Sequence, residues 1–145
     1  MELEGISAQD YHVMRTAADT ERLMREVDSA GSVGVVGLGV LGVEVCDQLA
    51  KMGKRVVGIG THSSIMPREL NNTTAERMHV LFQDAGIETR LNERGCGVRR
   101  AGDRYRIRLQ RSAVEVGQFV FCGGCEADLS LAREAGLRVG DGIIV

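Results

Sequence analysis

Apolar residues change period twice along this chain. Leu23 and Val27 lie one helical turn apart, and Asp19 stands where a cap belongs, which predicts a helix from Asp19 to about Ser29, ended by Gly31. The run "VGVV" at 33–36 is apolar on both faces, as in a buried parallel strand. Leu41, Val45, Leu49 and Met52 then form the inner stripe of a helix that Gly53 stops, and "RVVGI" at 55–59 is a second strand. After "GTHSSIMPREL", with Pro67 near the next helix start, Met78, Leu81, Phe82 and Ala85 mark another apolar face closed by Gly86. "IETRL" is a third strand. From there the period falls to two: Tyr105, Ile107 and Leu109 alternate with Arg104, Arg106 and Arg108 behind a turn at Gly102-Asp103. "AVEV" and "QFVFC" continue as strands around Gly117. Asp128 caps a short helix to Ala135, and "GIIV" begins a last strand.

The order is α-β-α-β-α-β, a small antiparallel meander, then β-α-β. It predicts an α/β fold, a Rossmann-like three-layer domain. Its central parallel sheet is flanked by helices, with a three-stranded antiparallel meander as one crossover. With 145 residues there is room for one domain and one core. Formal net charge is −2, which does not call for nucleic acid or an anionic membrane. No apolar run reaches the ~18–20 residues of a membrane span, and the N-terminus lacks a signal-peptide layout. Four unevenly spaced cysteines do not resemble a secreted disulfide framework, so the expected setting is cytoplasmic with free thiols.

The chemistry concentrates in Gly37-Leu38-Gly39-Val40-Leu41-Gly42, which fits G-x-G-x-x-G between an apolar strand and an amphipathic helix. In this context Gly37 permits the turn, Gly39 lets the backbone approach a pyrophosphate, and Gly42 packs helix on strand. The helix N-terminus faces the phosphates with unpaired N–H groups. Strand 55–59 should be followed by an acidic residue that holds the 2′-OH of NAD, but Gly60 stands there. The choice between NAD and NADP therefore passes to Thr61, His62 and Ser63, with Arg68 within chain reach.

"VGVVGLGVLGVEVCDQLAKMGKRVVGIG" resembles the NAD(P)-binding domain of FAD-dependent pyridine nucleotide-disulfide oxidoreductases, with Glu44 in the acidic place of G-x-G-x-x-G-x-E. "VMRTAADTERLMREV" resembles that family's segment leading out of its FAD domain. "SSIMPREL" resembles its loop after the second strand. "FVFCGGCEADLSLAREAGLRVGDGIIV" resembles its closing stretch. The resemblance implies a lead-in from a missing FAD domain at 1–18 and an NAD(P)-binding domain at 19–145. It implies that the backbone of Gly39, Val40 and Leu41 faces the pyrophosphate, with Glu44 near the nicotinamide carboxamide. The turn Cys122-Gly123-Gly124 then passes near the nicotinamide and its ribose. The implied function is presentation of the nicotinamide of NAD or NADP for hydride transfer to FAD in a larger oxidoreductase, of which this chain is an excised or truncated part. The isolated chain would be inactive. The implied partners are the dinucleotide and the FAD-binding domain, with a homodimer open. The alternative is a stand-alone nucleotide-sensing or interaction module.

Two other patterns stay apart from that reading. Cys122-Gly-Gly-Cys125 is a redox pair, half of a zinc site, or a pair of incidental thiols; zinc would need a second pair, and none exists. Cys46 reads as a packing residue in the first glycine-led helix. Arginines crowd residues 90–111 with Tyr105 alone among them as an aromatic, which reads as a solvated face or a docking surface for an acidic partner.

Overall fold

A computed structural model describes residues 2–4, 6–124 and 126–145. Its strands are β1 (Glu2–Glu4), β2 (His12–Val13), β3 (Ser32–Val36), β4 (Arg55–Ile59), β5 (Glu88–Arg90), β6 (Gly95–Ala101), β7 (Arg104–Leu109), β8 (Ala113–Val116) and β9 (Gln118–Phe121). Its helices are α1 (Ala17–Ser29), α2 (Val40–Lys51), α3 (Asn72–Asp84) and α4 (Ser130–Glu134). The parallel sheet runs β2-β9-β3-β4-β5, and a second sheet runs β1-β6-β7-β8.

Alternation along each parallel strand builds three layers. Val33, Val35, Val56 and Val120 face a core with Leu23 and Val27 of α1, Val43, Val45, Cys46 and Leu49 of α2, and Phe82 of α3. Val57, Ile59 and Phe119 face the opposite way, onto Val98, Tyr105, Ile107, Val114 and Val116 of the second sheet. Arg104, Arg106 and Arg108 point away from that core, as the period of two requires. The meander therefore serves as a crossover and as a whole layer. β1 adds a fourth strand, parallel to β6, and the lead-in residues His12 and Val13 form the edge of the parallel sheet beside β9.

Several local expectations change. Thr16, not Asp19, caps α1. Its hydroxyl accepts the Asp19 N–H while the Asp19 carboxylate accepts the Thr16 N–H, a capping box that moves the start back to Ala17. Pro67 lies in the preceding loop, and Asn71 caps α3 through the Thr74 N–H. The inner face of α3 is Ala75 and Phe82 with Met78 packed beside them, whereas Leu81 is 61% exposed. In α2, Leu41 also faces outward, because the helix is rotated to bring Gly42, Val43, Cys46 and Leu49 onto the sheet. Asp128 accepts from Ser130 N–H one residue ahead of the cap position, which Leu129 occupies. "GIIV" makes one bridge, Val139 to Ile143, in place of a strand.

Candidate functional site

The C-terminal ends of β3, β4 and β9 place three turns side by side, the location where open parallel sheets take ligands. Gly37 leaves β3 with its N–H donating to Ile59 O at 2.8 Å, and Cys122 leaves β9 with its N–H donating to Val36 O at 2.7 Å. Gly37 has φ +107°, and a Cβ on it would lie 2.5 Å from Cys122 O and 2.8 Å from Gly123 Cα. The two turns are thus packed backbone against backbone, which only a residue without a side chain allows.

The other two motif glycines behave differently from each other. A Cβ on Gly42 would stand 1.8 Å from Gly37 O, so Gly42 is what lets α2 approach the turn. A Cβ on Gly39 would meet no protein atom within 4 Å. Packing explains Gly42 and does not explain Gly39, whose bare backbone suits a phosphate coming close. Gly39 is the N-cap of α2 and contributes no side-chain hydrogen bond. The N–H groups of Val40, Leu41 and Gly42 have no carbonyl four residues back to take them, while Val43 N–H donates to Gly39 O at 3.0 Å. No acidic residue lies in the first turn of α2, so its positive dipole end is left for an anion. Val40 and Leu41 are exposed beside it, and Glu44 is exposed one turn further along. Leu38 is buried: its side chain enters the helical core and its carbonyl accepts from Met66 N–H at 2.8 Å.

That last bond folds the loop after β4 back onto the glycine turn. Ile65 is fully buried and anchors it, with Met66 at φ +48°. Gly60 is buried, and a Cβ there would touch Leu38 Cδ1 at 3.3 Å and Leu91 Cδ2 at 3.4 Å. Thr61, His62 and Ser63 are exposed between these anchors. The far side of the loop is held by backbone: Glu93 N–H donates to Gly60 O at 3.0 Å and Asn92 N–H to His62 O at 2.8 Å. Asn92 and Glu93 are not evident in the sequence as part of a site. Their only signal is an asparagine at a turn, "LN", followed by an acid among arginines.

The third turn carries half-buried Cys122 and exposed Gly123 and Gly124, the last at φ +109°. Burial pushes the Cys122 thiol up to about 11, and burial also raises that of Cys46. A protonated, half-buried thiol is a poor nucleophile near neutrality. Cys125, the second half of the cysteine motif, lies outside the described residues. Among the described residues no group of three His, Cys, Asp or Glu side chains is placed to hold a metal ion. Among them, too, no helix is long and apolar enough to cross a membrane.

The family model for pyridine nucleotide-disulphide oxidoreductases matches residues 1–145. A rubredoxin-NAD(+) reductase of Ectopseudomonas oleovorans is 28% identical over 144 residues, which cover 98% of this chain and 37% of that protein. The chain thus spans little more than a third of that relative's length. Among solved structures, a ferredoxin reductase from Rhodopseudomonas palustris superposes with a TM-score of 0.92 at 24% identity, covering 100% of this chain and 36% of that one. A water-forming NADH oxidase from Lactobacillus brevis, bound to NADH, superposes with a TM-score of 0.86 at 18% identity, over 92% of this chain and 30% of that one.

Proposed function

This chain belongs to the pyridine nucleotide-disulphide oxidoreductase family, and on that premise we propose that it is the NAD(P)H-binding domain of an FAD-dependent oxidoreductase. The observation that carries this reading is the contrast inside the motif. Gly37 and Gly42 are required by their neighbours, while Gly39 is bare with nothing of the protein against it. The pyrophosphate would sit over Gly39, taking hydrogen bonds from the N–H groups of Val40 and Leu41. The adenosine ribose would lie toward Gly60, Thr61, His62 and Ser63, and the nicotinamide toward Glu44 and the Cys122-Gly123-Gly124 turn.

A nicotinamide held here would supply a hydride, and a flavin to receive it would have to come from outside these residues. What this chain does is hold the dinucleotide along the sheet edge and fix which end meets the flavin. The share of the relative that it covers supports a part of a longer oxidoreductase, inactive alone. Cys46, Cys96 and Cys122 are free thiols, which supports a reducing, cytoplasmic setting. Without a carboxylate at Gly60 to repel a 2′-phosphate, NADH and NADPH should bind within about a hundredfold of each other.

Calorimetric titration with NADH and NADPH tests this. Wild type should bind at least one of them, and Gly39→Val should weaken binding by about tenfold or more. Equal binding by the two proteins would remove the pyrophosphate assignment.

A further inference from the structure

The connection from β5 to β6 holds a carboxylate that dinucleotide binding does not itself use. Glu93 is 7% exposed although it sits in a short surface connection. Its Oε2 accepts the backbone N–H of Arg111 at 3.1 Å, and its Oε1 accepts the Ser112 hydroxyl at 3.1 Å. Arg111 Nε lies 3.9 Å from Oε1, and Arg111 Nη2 returns to donate to Asn92 O at 2.7 Å. Burying a carboxylate is costly unless donors and a counter-charge meet it, and here the turn between β7 and β8 supplies both.

This arrangement fixes the backbone beside the carboxylate. Asn92 takes the left-handed conformation at φ +54°, which asparagine tolerates better than most residues. The N–H groups of Asn92 and Glu93 then both reach the loop after β4, at His62 O and Gly60 O. Those are the two carbonyls that flank Thr61. A rigid path therefore runs from the antiparallel layer, through Glu93, into the loop that carries Thr61, His62 and Ser63.

We infer that Glu93 is a positioning residue for the adenosine-ribose end of the dinucleotide: it touches no ligand and sets the loop that does. This rests on reading residues 60–63 as the ribose loop. It makes cofactor preference depend on a contact with the far layer as well as on the residues that face the ribose.

The test titrates the 145-residue protein with NADH, NADPH and ADP-ribose, as wild type, Glu93→Ala, Glu93→Gln, Ser112→Ala and Gly39→Val. Glu93→Ala should weaken all three ligands about tenfold and shift the NADH-to-NADPH ratio more than about threefold. Glu93→Gln keeps an acceptor and a second hydrogen-bonding atom, and should restore most of both. Ser112→Ala removes one donor and should cost about threefold. A lowered melting temperature with affinities and ratio unchanged would reduce Glu93 to a structural residue and overturn the inference. If Glu93→Ala does not fold, Ser112→Ala decides in the same way. The two readings fail separately. Loss of binding in Gly39→Val with wild-type behaviour in the Glu93 and Ser112 variants ends this inference alone. Wild-type binding by Gly39→Val, or no binding by wild type, ends the ribose-loop reading and takes this inference with it.

Discussion

The two halves of the candidate site are held in opposite ways. The glycine turn is marked within its own six residues by Gly37, Gly39 and Gly42, although the crowding that demands Gly42 comes from Gly37 O and that which demands Gly37 comes from the Cys122 turn beside it. The loop after β4 is organised from outside. Its anchors are Leu38 behind it, and Asn92 and Glu93 beside it, some thirty residues further along the chain. A motif can mark the first kind of structure, because backbone geometry over a few residues dictates which side chains fit. The second kind has a local mark for its position, at the end of β4, and none for its anchors Asn92 and Glu93.

The largest effect separating the halves should come from Gly42→Val. With a Cβ 1.8 Å from Gly37 O, α2 must move off the turn, and the cost should be about 3 kcal/mol, read by urea denaturation. Gly39→Val is its counterpart. It should cost less than about 1 kcal/mol in the same assay, in line with a lost N-cap preference, while dinucleotide binding falls. Equal losses of stability in the two variants would erase the distinction between a packing glycine and a ligand-facing one.

Gly60→Asp probes the other half. The contacts at 3.3 and 3.4 Å are with the ends of Leu38 and Leu91, which can give slightly, so the fold should persist. The added carboxylate should raise the NADH-to-NADPH affinity ratio about tenfold by bonding a 2′-OH and repelling a 2′-phosphate. An unchanged ratio in competition titrations would move ribose recognition away from the end of β4.

The smallest effect lies outside both halves. His12 on the lead-in edge strand is buried, and that burial lowers its affinity for a proton below the ordinary value of 6.5. Glu26 Oε2, 3.2 Å from Nε2, works the other way, and Arg22 reinforces the lowering. The unfolded chain therefore binds this proton more readily than the folded one. The stability that His12 contributes is present above pH 6.5 and is lost as pH falls through its lowered value, by at most about 1.4 kcal/mol per pH unit. His12→Leu should flatten that acid limb in denaturation curves, and the NADH-to-NADPH ratio should not follow it. A ratio that tracks His12 would tie the lead-in strand to the site.

Much of the fold was legible because its period is local. "RVVGI" at 55–59 coincides with β4, and the alternation from Arg104 to Leu109 appears as exposed and buried positions in β7. The apolar spacing points Leu81 and Leu41 inward, yet both face outward, because a helix offers several apolar stripes and only its neighbours choose one. For α2 the choice was made by Gly42, whose missing side chain sets the rotation. Asp19 stands where a cap belongs and Thr16 is the cap, because the capping box uses both residues and spacing alone does not say which one it is.

By itself, then, the sequence determined the layered α/β order, the glycine turn and the chemistry that turn invites, all from periods and spacings a few residues long. Tertiary structure supplied the contacts behind the motif: Cys122 and Gly123 crowd Gly37, Gly37 O crowds Gly42, and a Cβ on Gly39 would meet no protein atom within 4 Å. It alone decided that Leu38 lies beneath the site, and that Glu93, met by Arg111 and Ser112 of the antiparallel layer, donates its backbone N–H to Gly60 O. These depend on which strands become neighbours, and sheet order brings residues 60–62, 92–93 and 111–112 together with no periodicity in the chain to announce it.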